Sequence, residues 1–430
     1  MAKRSYKSVQ VKSVNVDRLL KDVGTQCVTV GVDVAKTKFY AALMLPDGEI
    51  ACTVTWLHPK ETPTFVALLA QVPAGQVTVA LESTSRYGDI LVTRLRQAGI
   101  AVHGASTKRV HDAAEEYDGV PSKHDAKDAA VIADLLRRNK TRVLREPTAD
   151  ERRLRSLNHL FLVLKDREGV CINRLEAELA RFWPEVTAHL GLQTISLLTL
   201  LAAYGTPAAV AAAPQAAKKL LRSTGRSLLK ESVIEAVVAS AGQTEGCEAL
   251  TEEQYLVRML AEDALRAVRD AQDAEKALHV VAATHPSVVR QAKVIGMTTA
   301  AVVVAKGGDI GTFSSPAAYL KNIGLNLKEN SSGKAGQRGV SITKRGDGRT
   351  RQYLFLASLR LLQKDPVVAQ WYQHQVSKPG SVKMKVVVAL MRKLVKALWH
   401  VARGAEFDAR KLFDTRRFMS QDTVTDTAAA

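Results

Sequence analysis

Cysteine is scarce in this chain of 430 residues: Cys27, Cys52, Cys171 and Cys247 lie far apart, with no Cys-x-x-Cys pair and no histidine at zinc spacing. That excludes a disulfide scaffold and a structural zinc knot, and reduced thiols point to a cytoplasmic chain. Long apolar runs are also missing. The greasiest stretch, residues 195–213, is broken by Ser196, Thr199, Gly205 and Pro207, whereas a membrane-spanning helix needs about 20 apolar residues. The basic start, Met1 to Lys7, leads into Val-Gln-Val-Lys rather than an apolar signal core, so export is not expected. Disorder is excluded by 46% hydrophobic and 24% charged residues, the balance of a globular protein of two or three domains. Acid is the last shortage: 43 Asp and Glu face 61 Lys and Arg, a formal charge of +18. Such an excess suits a polyanion, either nucleic acid or an anionic membrane, or belongs to a merely soluble basic enzyme.

The pattern along the chain separates a mixed region from a helical one. Residues 28–34 and 38–45 read as strands, Pro46-Asp47-Gly48 as a turn, and 50–56 as a third, antiparallel strand. Helix over 60–72, strand over 77–81 ending at Glu82, helix over 86–98 and strand over 100–102 complete an order β-β-β-α-β-α-β, an α/β domain with a mixed sheet. From Asp150 the apolar period becomes helical. Leu154, Leu157, Phe161, Leu164, Cys171, Leu175 and Phe182 mark one long helix ending at Pro184, and Leu256, Leu260, Ala264, Val268, Ala271 and Leu278 mark a second. The pair reads as an antiparallel coiled-coil arm, a dimerisation element or a plain helical core. A final helical segment, about 285–410, contains a polar, glycine-rich stretch from Asn326 to Gly348, and the last residues, 420–430, read as a frayed tail. No internal repeat is present.

Four carboxylates stand out by position. Asp33 and Glu82 end the first and fourth strands, and Asp125 and Asp128 lie three apart on one face of a helix over 124–138. Taken singly they read as turn formers or helix-start acids. If the first and fourth strands are sheet neighbours, all four gather at one end of the sheet. There they repel one another unless cations neutralise them, and hard oxygen ligands of this kind suit Mg²⁺ or Mn²⁺. Two such ions about 4 Å apart can activate a nucleophile and stabilise a leaving oxygen on phosphorus. His124 reads as a cap or surface residue.

A second constellation runs from Asn330 to Arg351. Lys334, Arg338, Lys344, Arg345, Arg349 and Arg351 stand among glycines with a single acid, Asp347. Glycines let backbone amides approach phosphate, and forked cations bind its oxygens. The stretch lacks the Walker spacing and reads either as a phosphodiester-binding loop or as a solvated basic loop. A serine beside such cations could attack phosphorus. A third basic patch, Lys383, Lys385, Arg392, Lys393 and Lys396, is adequately explained as an amphipathic helix surface, with backbone contact to nucleic acid as the alternative.

Together these motifs resemble a known family. Gly31-Val32-Asp33-Val34-Ala35-Lys36, Glu82-Ser83-Thr84 with Tyr87, Lys123-x-Asp125-x-x-Asp128-Ala129, Ser331-Ser332-Gly333 and Ile342-Thr343-Lys344-Arg345-Gly346 look like the DEDD-type insertion-sequence transposases. These are the IS-one-ten family, with the Piv and MooV DNA invertases as relatives, and the resemblance covers about residues 28–410. It implies a RuvC-like (ribonuclease H fold) domain over 27–149 behind a basic extension over 1–26. A helical, coiled-coil region over 150–284, a C-terminal transposase domain over 285–415 and a tail over 416–430 would follow. It further implies Mg²⁺ (or Mn²⁺) on Asp33, Glu82, Asp125 and Asp128, and Ser332 as the nucleophile, with Ser331 the neighbouring alternative. The expected partners are donor and target double-stranded DNA, a non-coding bridge RNA and further copies of the chain, dimer to tetramer, acting in the bacterial cytoplasm at the nucleoid. Departures from the family pattern are Val294-Ile295-Gly296-Met297-Thr298, where a second glycine is usual, Ser85-Arg86, and His124.

Three other readings compete. A RuvC-like nuclease or resolvase would use the same acids to activate water, leaving no covalent intermediate. An actin-like or sugar-kinase relative requires Gly two residues after Asp33, where Ala35 stands. A purely binding protein leaves the four acids unexplained. No helix-turn-helix or zinc finger offers a protein-only DNA reader, and in the RNA-guided system that the resemblance implies, base pairing would carry target choice.

Overall fold

The computed structural model describes residues 7–73, 75–82, 86–119, 124–330 and 339–418. The chain forms two compact units, residues 1–146 and 147–430.

The first unit is built on seven strands: β1 (Val9–Gln10), β2 (Val28–Asp33), β3 (Lys38–Met44), β4 (Ile50–Leu57), β5 (Val77–Glu82), β6 (Ala101–Ala105) and β7 (Arg142–Val143). Their order in the sheet is β1-β4-β3-β2-β5-β6-β7. Strands β2, β3 and β4 are antiparallel neighbours, whereas β5 and β6 run parallel to β2. The short edges β1 and β7 have no signal in the sequence pattern, because two residues cannot display an alternation. Helices α1 (Val16–Val23), α2 (Thr62–Leu69) and α3 (Asp89–Gln97) cover one face, and α4 (Thr107–Asp118) with α5 (Asp125–Arg137) covers the other. The basic stretch before residue 27 is therefore part of this fold from Val9 onward: Val11, Leu19 and Val23 are buried in the first core.

Alternation along β2 assigns its faces. Val28, Val30 and Val32 pack with Phe39, Trp56, Phe65 and Leu91 in that core, and Trp56 stacks on Phe65 with ring centres 4.0 Å apart. Thr29, Gly31 and Asp33 take the opposite face, under α5.

Among its described residues the second unit is helical apart from one antiparallel strand pair. Its spine is α6 (Ala149–Phe182), opened by a reciprocal Thr148–Glu151 capping box. Short helices α7 (Val186–His189), α8 (Ile195–Tyr204), α9 (Pro207–Ala212), α10 (Pro214–Gly225) and α11 (Glu231–Gly242) lead to the second long helix, α12 (Thr251–Ala282). The pairs Arg181–Glu253 (2.8 Å) and Arg167–Asp270 (3.1 Å) show that α6 and α12 run antiparallel. Helices α7 to α11 bury Trp183, Leu197, Leu201 and Val237 against one end of this pair. Its other end packs on α13 (Pro286–Ile295), α14 (Met297–Gly307), α15 (Pro316–Asn322), α16 (Gly348–Lys364) and α18 (Lys383–Ala402), with α17 (Pro366–Val376) beside α18.

The start of α12 differs from the expected stripe. Val257, Ala261, Ala264, Ala267, Val268, Ala271, Ala274 and Leu278 are buried, whereas Leu256 is 43% exposed. Ala264, Val268, Ala271 and Leu278 of the expected stripe are thus buried and Leu260 packs partly buried beside them, while at the start of the helix Val257 and Ala261 take the place expected of Leu256. Within the glycine-rich stretch, β8 (Leu327–Asn330) and β9 (Gly339–Ile342) form an antiparallel pair that sequence reasoning did not anticipate.

Candidate functional site

The acidic site begins with what lets α5 lie flat on the sheet. Gly31 of β2 is flanked in register by Ala42 of β3 and Ala80 of β5, a row of small residues across three strands. A Cβ on Gly31 would stand 2.1 Å from the Ala129 carbonyl oxygen and 2.2 Å from the Ala133 amide nitrogen. Only glycine permits this contact, and Ala126, Ala129, Ala130 and Ala133 supply a matching shallow helix face. Asp33 lies two residues beyond Gly31 on the same face, and Asp125 and Asp128 lie about one turn before Ala129 and Ala133 toward the start of α5. Because Val32 pairs with Leu81, the strand-ending residues Asp33 and Glu82 stand side by side on parallel neighbours.

These placements put four carboxylates in one electrostatic neighbourhood. The Asp33 carboxyl is pushed up from 3.8 to about 6, first by burial and then by Asp128, Asp125 and Glu82. The Val34 amide opposes the shift by hydrogen bonding. The amino end of α5 carries the positive end of its dipole, which offsets part of the repulsion on Asp125 and Asp128. His124 is the N-cap: its Nδ1 accepts the Ala126 amide at 3.2 Å. Among the described residues no three His, Cys, Asp or Glu side chains stand close enough to enclose an ion. The donor set nevertheless fits a hard divalent cation: oxygen ligands only, with one carboxyl, Asp33, pushed up first by burial and then by its negative neighbours, the repulsion that a cation would relieve.

Lys127, between the two aspartates, was missed by the sequence reading. Its side chain is fully buried and its Nζ donates to Asp118 at 2.7 Å, tying the end of α4 to the start of α5. A lysine set among Ala126, Ala129 and Ala130 on a helix that buries most of its surface was the available signal.

The second unit carries the basic constellation. Ser331, Ser332, Lys334 and Arg338 lie outside the described residues, as do Ser83, Thr84 and Lys123. Lys344 and Arg345 are exposed on a loop whose backbone is fixed: the Thr343 amide donates to Asn326 O, the Lys344 amide to Gly324 O, and Thr343 Oγ1 bonds Asn326 Oδ1 at 2.6 Å. Gly324 (φ 74°) and Gly346 (φ 100°) let the two turns touch, since a Cβ on either would meet opposing backbone at about 2 Å. Arg351 donates to the carbonyls of Ile323 (3.0 Å) and Gly346 (3.1 Å), and Arg349 pairs with Asp166 of α6. Arg349 and Arg351 thus brace the loop that presents Lys344 and Arg345. The junction Val294-Ile295-Gly296-Met297-Thr298 joins α13 to α14 through Gly296 at φ 80°. Thr298, standing where the family's second glycine is usual, donates its hydroxyl to Glu275 at 2.6 Å and bonds His279 Nε2 at 2.8 Å. In the third patch, Arg392 is held by Leu325 O and Lys393 by Leu412 O.

Comparison with known proteins covers both constellations. A family model described as a DEDD transposase of IS110 type matches residues 30–184, and one described as Transposase IS116/IS110/IS902 family matches residues 287–373. Together they span more than half the chain. The chain is also similar to the insertion element IS110 uncharacterized 43.6 kDa protein of Streptomyces coelicolor, 26% identical over 90% of this chain and 96% of the relative. The insertion element IS900 uncharacterized 42 kDa protein of Mycobacterium paratuberculosis is 25% identical over 88% and 96%. Among the described residues no helix is long and apolar enough to cross a membrane.

Proposed function

Since the chain belongs to the IS110 family of transposases, enzymes that cut and rejoin DNA, we propose that Asp33, Glu82, Asp125 and Asp128 hold Mg²⁺ or Mn²⁺ and that Ser332 is its nucleophile. The observation that carries the acidic half is the electrostatic coupling of Asp33 to the other three acids from two further elements. The strand order β4-β3-β2-β5-β6, antiparallel in its first three members and parallel in the last two, supports a RuvC-like reading of residues 27–149. The antiparallel α6–α12 pair supports a coiled-coil region over 150–284, with a transposase domain over 285–415.

Divalent ions bound there would neutralise a phosphodiester and polarise its oxygens. The chain's own residues do the rest. Asp33 gives up the proton that its neighbours favour, Gly31 and the alanines of α5 keep Asp125 and Asp128 over the strand ends, and Lys344 and Arg345 face the phosphate chain. Attack by Ser332 forms an Oγ–P bond as one P–O ester bond of the strand breaks, and the serine proton ends on the departing oxygen. Reversal by a different strand end restores the ester, so no nucleotide is consumed. In this reading a bridge RNA pairs with donor and target, and protomers of a dimer or tetramer share acids and serine between them, at the nucleoid.

Incubating the protein with end-labelled donor DNA and Mg²⁺ tests the serine. Wild type and Ser331→Ala trap a covalent protein–DNA adduct under denaturing conditions and Ser332→Ala does not. Strand cleavage persisting in Ser332→Ala without an adduct would establish the hydrolytic nuclease instead. Purification without a defined co-eluting RNA would remove the guide from the proposal.

A further inference from the structure

We propose that the exposed lysines that follow α17 and run along α18 form a docking surface for duplex DNA, with Lys378, Lys383, Lys385 and Lys396 on the phosphate backbone and Val382 and Met384, at the tip where α18 starts, against sugar and base. Between Asp365 and Glu406 the chain has 40 residues with seven Lys and Arg and no acid. The structure divides those seven by task. Arg392 and Lys393 donate to the carbonyls of Leu325 and Leu412, and Arg403 donates to Gly311 O while stacking 4.2 Å over Trp399. Those three hold the fold. Lys378 reaches only a neutral partner, Gln375 Oε1 at 3.1 Å, and Lys383, Lys385 and Lys396 are exposed with no carboxylate paired to them among the described residues.

Their arrangement suits a linear polyanion. Lys385 and Lys396 are eleven residues apart, three helical turns and about 16 Å along one face, a separation that spans several phosphates of a strand. Val382 and Met384, 48% and 58% exposed, interrupt this charge at the tip. Apolar side chains between lysines are the composition by which proteins wedge against base steps while cations hold the flanking phosphates. The surface is separate from the basic loop carrying Lys344 and Arg345, and it rests on the transposase reading only in expecting nucleic acid as its partner.

The test measures binding of the full chain to a fluorescent 30-base-pair DNA duplex and, in parallel, to a single-stranded RNA of equal length, each over a range of salt. The triple variant Lys383→Ser/Lys385→Ser/Lys396→Ser is compared with a control losing equal charge on the first unit, Lys21→Ser/Lys60→Ser/Lys140→Ser. In the duplex arm the triple variant weakens binding about tenfold or more and lowers the slope of log K against log salt by about two to three, while the control keeps the slope. Met384→Ser weakens binding about tenfold with the slope unchanged. Unfolding midpoints stay at the wild-type value, since all these side chains are exposed. Unchanged duplex binding, an equal effect of the control, or a loss confined to the RNA arm overturns the surface and leaves the transposase reading standing. Asp33→Asn that still joins strands would sink that reading and leave the surface.

Discussion

Asp33 bears a cost that the metal-free protein must meet from its own stability. Its folded pKa, about 6, lies above the ordinary 3.8, so folding favours the protonated form. The contribution of this group is fully present below pH 3.8 and is lost as pH rises through 6. In chelator, wild type therefore loses stability relative to Asp33→Asn between about pH 4 and pH 7, and the variant is the more stable at neutral pH by about 1 kcal/mol once solvent screening is allowed for. Thermal unfolding of both proteins at pH 4.5 and pH 7 checks this, and a gap that does not widen with pH would remove the coupling. Added Mg²⁺ should raise the midpoint of wild type and not that of the variant. Lys127 is a residue of another kind. Its ion pair with Asp118 is buried, and replacing only the lysine, Lys127→Met, leaves a carboxylate without its cation, at a cost of about 3–5 kcal/mol. Adding Asp118→Asn should recover most of that loss in a double-mutant cycle.

At the scale of elements, the seating of α5 on the sheet is what brings Asp125 and Asp128 within electrostatic reach of Asp33. Gly31→Ala forces a methyl into the backbone of Ala129 and Ala133, and either α5 lifts or β2 bends, at about 1–3 kcal/mol. The variant should lose Mg²⁺-induced stabilisation out of proportion to its lost stability, because Asp125 and Asp128 ride on the displaced helix; titrating the unfolding midpoint with Mg²⁺ measures both effects. Much of this unit was legible beforehand. Strands β2 to β6 announce themselves by β-branched runs, and Asp33, Glu82, Asp125 and Asp128 by position. What was not legible depended on partners distant in sequence: the two-residue edge strands, the row Ala42–Gly31–Ala80, the Lys127–Asp118 pair, and the bracing of Arg349 by Asp166. In the second unit the length of α12 and most of its buried stripe were readable, but its first turn was not, because Val257 and Ala261 rather than Leu256 mark the buried side there. The β8–β9 pair was hidden in a stretch read only for glycine and charge.

For the whole molecule, the +18 is unevenly spent. Residues 147–430 hold thirteen of those charges, and twelve of the thirteen come from 331–351 and 366–405. On the proposed reading the first unit brings four acids up to a phosphodiester, and without divalent ions those acids oppose the approach that the rest of the molecule favours. Two manipulations should therefore have the same effect on binding and opposite effects on chemistry. In chelator at low salt, Asp33→Asn should bind duplex DNA more tightly than wild type by about two- to fivefold, the range expected when one of several partly screened repulsions is removed. Adding Mg²⁺ should raise wild-type affinity to that of the variant and restore strand joining to wild type alone. The measurement is a pair of salt-controlled binding isotherms with and without Mg²⁺, set beside a strand-joining assay on the same samples. Equal affinities in chelator would mean that the acids do not meet DNA, and the acidic cluster would then have to act on something other than the bound phosphodiester.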